Sequence, residues 1–317
     1  MASTTALSKP KKPRLSRLAR IEALWGYVYI SPWIVGFVLL TLGPMLASLY
    51  LSFTNYEIPF TPKWTGLANY IRAVTKDELV PKAVGNTLYY VGLSVPLGLT
   101  ASLLLAMLLD RKLPGRAVLR TVFYLPSIVP TVASTLLFVF LFNPDLGLIN
   151  RWIYDVFGVR GPGWFKDMTW VKPTFVILAL WGAGGATMII FLAGLQNVPQ
   201  ELYEAAEVDG AGRLAKFICI TLPMLSPTIF FNLITGIIGA FHIFTSAYVA
   251  TGSDGGPMYA SYFYVLHLFL NAFRYWKTGY AAALAWLLFL FVLVLTLIQF
   301  RFSKRWVYYE SAAMAES

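Results

Sequence analysis

Residues 24–53 read LWGYVYISPWIVGFVLLTLGPMLASLYLSF, thirty positions without a charged side chain. A helix needs about 20 mostly apolar residues to cross the hydrocarbon core of a bilayer. This run is too long for the apolar core of a secretory signal, and no small-residue cleavage pattern interrupts it. It therefore predicts an uncleaved first span, with the basic leader LSKPKKPRLSRLAR still attached.

The rest of the chain repeats the pattern. Stretches at roughly 25–52, 84–109, 118–142, 173–196, 221–249 and 279–300 each pass the length test, and among charged residues only Arg120, at the start of the third, falls within them. Hydrophobic residues make up 58% of the 317 and charged ones 13%, far from the balance of a soluble domain. Pro96, Pro126, Pro130 and Pro227 fall in or near spans, where neighbouring helices can cover the freed carbonyls, so they predict kinks. The expected fold is all-α: a polytopic membrane protein of six transmembrane helices at 25–302, between a basic tail at 1–24 and a C-terminal tail at 303–317.

Charge orients the chain. Alternate connections hold 15 and 10 of the 25 Lys and Arg residues, and the richer set includes the N-terminal tail and the cluster DRKLPGRAVLR at 110–120. By the positive-inside rule both termini are expected in the cytoplasm of an inner membrane. The same placement explains the net charge of +10 through membrane orientation and argues against a nucleic-acid partner. A single cysteine, Cys219, excludes an intrachain disulfide, and two histidines without a cysteine partner form no metal-ligand pattern. The opposite-side connections, 53–83, 143–172 and 250–278, are each about thirty residues long and rich in aromatics, Pro and Gly, suited to contact surfaces.

One connection breaks the charge rule. Residues 197–220, between the fourth and fifth spans, carry Glu201, Glu204, Glu207 and Asp209 against Arg213 and Lys216. Pro199 followed by acids suits a helix start, giving a short helix over about 199–208. Gly210 and Gly212 can take left-handed geometry, ending that helix and turning into a second, RLAKFICI, before Pro223 opens the fifth span. Ala205 and Ala206 leave a smooth patch, beside Leu202, Tyr203 and Val208. A merely solvated loop is the plainer reading of this pattern.

Two places within the spans combine flat apolar faces with a few polar groups, as a small-molecule site requires. In ALWGAGGATMIIF, Trp181 precedes Gly182, Gly184 and Gly185, which permit close helix approach or local unwinding; a packed indole beside a small-residue stripe is the competing reading. In GAFHIFTSAYVATG, Phe241, His242, Thr245, Ser246 and Tyr248 form the densest polar and aromatic group of the apolar segments. On a continuous helix Phe241, Thr245 and Tyr248 share a face with His242 beside it; an interhelical hydrogen-bond network is the competing reading. His267, in a connection, reads as a surface residue.

The stretch EAAEVDGAGRLAKFICITLP at 204–223 resembles the EAA loop of binding-protein-dependent ABC importer permeases, with Glu204, Ala205, Ala206 and then Gly210, Ile220, Leu222 and Pro223. PMLASLYLSFTNYE, WTGLANY, RTVFYLPSIVP, AGLQNVPQELYEAAEVDGA and TGSDGGP likewise resemble the sugar permeases of the maltose-type class over nearly the whole chain. The resemblance implies that Glu204, Ala205, Ala206 and Gly210 couple to a cleft on a separate ATPase dimer. It also implies that Trp181, Phe241, His242, Thr245, Ser246 and Tyr248 lie along the solute pathway. Where the maltose permease shows asparagines this chain has His242 and Thr245, which argues for a different sugar. Asp254, Gly255, Gly256 and Pro257 are then expected to face an extracytoplasmic solute-binding protein, with Asn143, Asp145 and Trp164 as weaker contacts. A second permease subunit, in a heterodimer, completes the expected partners beside membrane lipid.

No GxxxxGK[ST] phosphate loop occurs, so ATP and Mg are expected in the partner chain and no cofactor or metal in this one. An ion-coupled carrier would call for a carboxylate or lysine within a span, and a membrane enzyme for clustered acid, base or nucleophile residues; neither appears.

Overall fold

The computed structural model describes residues 16–111 and 114–308; most of the N-terminal tail and the end of the C-terminal tail lie outside these described residues. The chain is helical, its only β feature among the described residues being an isolated bridge between Thr54 and Trp64. Helix α1 spans Arg17–Ser52, and α2 spans Ala68–Thr75. Helix α3 spans Leu79–Asp110, the bent pair α4 and α5 spans Arg116–Ile128 and Thr131–Leu141, and α6 spans Leu148–Phe157. A second bent pair, α7 and α8, spans Val171–Trp181 and Ala186–Gln196, followed by α9 at Gln200–Val208 and α10 at Arg213–Phe241. Helices α11 at Thr245–Thr251, α12 at Tyr264–Phe269 and α13 at Thr278–Ser303 complete the chain.

Four helices, α1, α3, α10 and α13, are long and apolar enough to cross a bilayer, and the two bent pairs raise the number to six. The third and fourth spans are thus each broken. Helices α4 and α5 meet at 95°, at Val129 and Pro130, where Pro130 supplies no amide for a continuous ladder. Helices α7 and α8 meet at 50° across Gly182 to Gly185.

Ser16 caps α1, its Oγ accepting from the Ala19 amide at 3.2 Å. The most apolar part of α1 buries nothing within the chain, and Leu40 is 81% exposed, as suits a side facing lipid or another chain. Its last turns pack on α13, where Trp286 Nε1 donates to Ser48 Oγ at 3.2 Å.

Helix α3 is the axis of the bundle. Its buried residues Ala83, Thr87, Val91, Val95, Ser102, Ala106 and Leu109 recur three, four or seven apart, giving one face that meets α7, α8, α10 and α12. Small and hydroxyl side chains let these helices approach closely, which drives association where apolar burial offers no gain over lipid. The hydroxyls are satisfied locally: Thr87 Oγ1 donates to Ala83 O at 2.8 Å, while Ser102 Oγ lies 2.7 Å from both Gly98 O and Ala183 O. The second of these contacts fastens the break between α7 and α8 to the axis. Gly184 is the other fastener, because a Cβ there would sit 2.2 Å from the carbonyl oxygen of Phe123 on α4. The glycines therefore provide both a bend and a close approach of backbones.

Candidate functional site

The polar loop folds as a helix and a turn outside the bundle. Helix α9 begins after Pro199, with Glu201 in its first turn, and ends in a Schellman arrangement: Ala211 N donates to Ala206 O at 2.8 Å and Gly210 N to Glu207 O at 3.0 Å. Gly210 sits at φ +75°, the left-handed geometry that arrangement demands, whereas Gly212 has an ordinary negative φ and precedes α10. The expected second helix is continuous with the fifth span, through one π-helical turn at Phe217–Thr221. Tyr203 Oη lies 2.9 Å from Thr221 Oγ1, and Lys216 pairs with Glu207, so α9 is held against the first turns of α10. That hydrogen bond and then the Lys216 charge hold the Glu207 carboxyl below its usual range. Glu204 and Ala205 are exposed, Ala206 is half-buried, and Val208 is 89% exposed, leaving a small-residue and apolar face without a partner among the described residues.

Trp181, the last residue of α7, stacks obliquely on Phe138 with ring centroids 5.5 Å apart. It lines a cavity of about 290 Å³ together with Tyr90, Ser127, Thr131, Ile243 and Ser246. A second cavity of about 270 Å³ shares Tyr90, Ala179 and Gly182 with the first and continues along α3, past Ser94, Gly98 and Ser102, to Asn232 on α10. The two are lined by aromatic, hydroxyl and amide groups, and no residue lining either cavity is charged.

The structure divides the polar group expected on one continuous helix. The fifth span ends at Phe241, and the chain turns through His242, Ile243 and Phe244 before α11 starts at Thr245. Ser246 faces Trp181, while Phe241 lines a separate apolar cavity of about 420 Å³ against Phe291. His242 points elsewhere again: its Nδ1 donates to Ile238 O at 2.7 Å, and the ring borders an apolar groove beside Val265 and Phe289. Thr245 opens α11 half-buried, and Tyr248 stacks with Phe244 and Phe269. Of the six expected pathway residues, the structure brings only Trp181 and Ser246 together.

Two further expectations change. His267 is 3% exposed rather than superficial, because α12 is packed against α3. Its Nε2 lies 3.2 Å from Asp77 Oδ2, and its Nδ1 accepts from Tyr262 Oη at 3.0 Å. Burial pushes the imidazole below its ordinary pKa, although Asp77 pulls the other way. Burial would raise Asp77, but the Tyr280 hydroxyl, His267, the Leu79 amide and Arg72 outweigh it and hold its carboxyl low. Trp164, expected as a surface contact, is 7% exposed and donates through Nε1 to Asn150 Oδ1. Asn143 uses its Oδ1 to accept from the amides of Asp145 and Leu146, closing a turn, and Asp145 is exposed.

In the 254–257 turn only Asp254 is exposed, pairing with Arg274 at 3.6 Å; Gly255 is buried against Tyr262, and Gly256 and Pro257 are half-buried. Residues lining these cavities that were not anticipated are Tyr90, Ser94, Ser127 and Asn232. A legible signal existed for α3, since Asn86, Tyr90, Ser94, Gly98 and Ser102 recur every fourth residue in an otherwise apolar span.

Comparison with known proteins places this geometry. The family described as binding-protein-dependent transport system inner membrane component matches residues 94–308. The chain is 43% identical over 297 residues to the probable ABC transporter permease protein YesP of Bacillus subtilis, covering 93% of this chain and 96% of that one. It is 33% identical to the lactose transport system permease protein LacF of Rhizobium radiobacter, over 90% of this chain and 96% of that one. It is 32% identical to the trehalose/maltose transport system permease protein MalF of Thermococcus litoralis, over 91% and 97%. In fold it is similar to a chain of a bacterial ABC transporter involved in the import of the polysaccharide alginate, with a TM-score of 0.79, 23% identity, and coverage of 92% and 99%.

Proposed function

We propose, for a chain that belongs to the family of binding-protein-dependent transport system inner membrane components, that it forms the solute path of an ATP-driven importer for a sugar, oligosaccharide or polyol derivative. The observation that carries the reading is α9, a glycine-closed helix with an exposed alanine face held at the base of α10. A short helix pinned to the first turns of a membrane span by Tyr203 and Glu207, with Glu204, Ala205 and Val208 left exposed, suits the transmission of force from another chain. Glu204, Ala205, Ala206 and Gly210 would seat in a cleft of the ATPase, on the cytoplasmic side together with both termini.

The solute class rests on the uncharged, aromatic and hydroxyl-lined path at Trp181, and on relatives whose names specify lactose, trehalose and maltose transport. Alternating access follows. A loaded binding protein docks at the far end, near Asp254; the ATPases close on ATP; α9 passes the motion to α10 and α8; the cavities open outward and then reset. The bent pairs are suited to this, because helices already interrupted at Pro130 and at Gly182 to Gly185 can change angle without breaking further main-chain bonds. A solved complex of similar fold contains a pentasaccharide-bound periplasmic protein, in keeping with such docking, and a second permease would complete the path.

The test is co-purification of the chain with its ATPase from membranes, comparing the native chain with Ala206→Trp. Loss of the ATPase from the complex, with the permease still inserted, is expected. Undiminished assembly and uptake would refute the coupling role.

A further inference from the structure

Two buried polar groups on the inner cavity lack a well-formed hydrogen bond. Ser94 is 7% exposed and Asn232 3% exposed; among the described residues Asn232 Nδ2 has no partner, and Ser94 Oγ has only the Tyr90 hydroxyl beside it, outside good hydrogen-bond geometry. Both residues line the same cavity of about 270 Å³. Other buried hydroxyls of these helices, on Thr87, Ser102 and Ser226, bond to a carbonyl three or four residues back. Thr278 Oγ1, the Gln299 amide and Nε of Arg116 and Arg120 are also buried without a partner, but of these residues only Ser94 and Asn232 line the two cavities beside α3, and an unpaired polar group at membrane depth is retained where it faces a cavity or a ligand.

The cavity itself points to what fills it. A water occupies about 30 Å³ of liquid volume, so this space is far larger than a single bridging water needs. It shares Tyr90, Ala179 and Gly182 with the Trp181 cavity, and its lining includes Gly98, Gly236 and Gly239. Glycines keep it wide, and of these Gly98 and Gly239 would carry a Cβ without meeting any atom within 4 Å. Asn232 offers an amide N–H₂ donor, and Ser94 a hydroxyl that both donates and accepts; vicinal hydroxyls of a sugar ring match that pair. No charged side chain is available to compensate a carboxylate or phosphate there.

We infer that Ser94 and Asn232 form an inner hydroxyl-binding step, beyond Trp181 on the path, which receives an uncharged polyhydroxylated ring. This deepens the proposed function and rests on the reading that Trp181 lies on the solute path. A solute would exchange contact with the indole for hydrogen bonds along α3 and α10 as it moves towards the end bearing α9. A charged portion of any solute must lie elsewhere.

The experiment uses the complete transporter in nanodiscs, in a Cys219→Ser background that removes the native thiol. Ser94→Cys and Trp181→Cys are labelled separately with a small hydrophilic thiol reagent, with and without a high concentration of mixed glucose, lactose and maltose, or of glucose 1-phosphate. The expected result is labelling of both cysteines, slowed about five-fold or more by the neutral sugars and not by the phosphate at Ser94→Cys, which is the effect of about one hydrogen-bonded contact. Slowing at Trp181→Cys alone would overturn the inner step and leave the proposed path standing. Absence of slowing at both would overturn both readings. Labelling at Ser94→Cys unaffected by any sugar would show a water-filled space only, and no labelling a dry one; either overturns the inference. Thr187→Cys, on the same cavity, replaces Ser94→Cys if that variant fails to assemble.

Discussion

The amide of Ala211 donates to the carbonyl of Ala206 at 2.8 Å, bridging the left-handed Gly210. This bond gives a physical reason for the spacing between the alanine pair and the glycine four residues on. Ala206 stands three positions before the helix end, where its carbonyl has no partner in the helix, and only a residue at positive φ lets the chain turn back to it.

Gly210 is therefore predicted to tolerate Asn but not Val. No atom lies within 4 Å of a Cβ there, so the penalty is conformational, about 1–2 kcal/mol for a side chain forced left-handed. ATP-driven uptake in proteoliposomes should fall several-fold for Gly210→Val and be largely kept for Gly210→Asn. Equal uptake by the two variants would contradict the role assigned to the turn.

Gly184→Ala is expected to disrupt the junction of α4 with the broken fourth span, because its Cβ would meet backbone atoms of Phe123. Overpacking of this kind costs about 1–3 kcal/mol or more where backbone must move. The melting temperature in detergent should drop clearly, while Gly92→Ala, which meets open space, should leave it nearly unchanged.

Trp181→Ala should reduce uptake far more than His242→Ala. The indole lines a cavity with Ser246, whereas His242 donates to Ile238 O and borders an apolar groove. Initial uptake rates at saturating binding protein separate the two, and a larger loss from the histidine variant would reverse the assignment.

His267 predicts a pH signature. Its pKa in the folded chain lies below the ordinary 6.5 because burial disfavours the charged ring. The unfolded chain then binds more protons below that value, so stability is full above about pH 6.5 and declines as pH falls from there towards the folded pKa. Asp77, whose carboxyl is held below 3.8, adds stability above that value and loses it only in stronger acid. Thermal unfolding followed from pH 8 to pH 5 should show a decline for the native chain and a flatter profile for His267→Gln.

Much of the architecture was legible in order along the chain. Helix α9 falls within one residue of the span expected from Pro199 and the acids after it, because capping and turn chemistry act over a few neighbouring positions. Pro130 and the glycines after Trp181 marked two interruptions, but neither the angles of 95° and 50° nor the approach of the Phe123 backbone to Gly184 is written in the local sequence. The split between Ser246 and His242 was illegible, since no proline or glycine separates Phe241 from Thr245 and helical periodicity carries straight through. His267 gave no sign of burial, as its partners Asp77 and Tyr280 are far away in sequence.

What this chain's sequence determined by itself is therefore local and periodic: membrane spans from unbroken apolar length, and a short polar helix closed by Gly210, each set by side chains within a turn or two. What only the tertiary structure decided is which polar groups share a cavity. Trp181, Tyr90, Ser94 and Asn232 come from three helices that meet at the axis α3. Whether a hydroxyl in such a helix is spent on its own carbonyl or left open to a cavity depends on neighbours that the linear order does not adjoin.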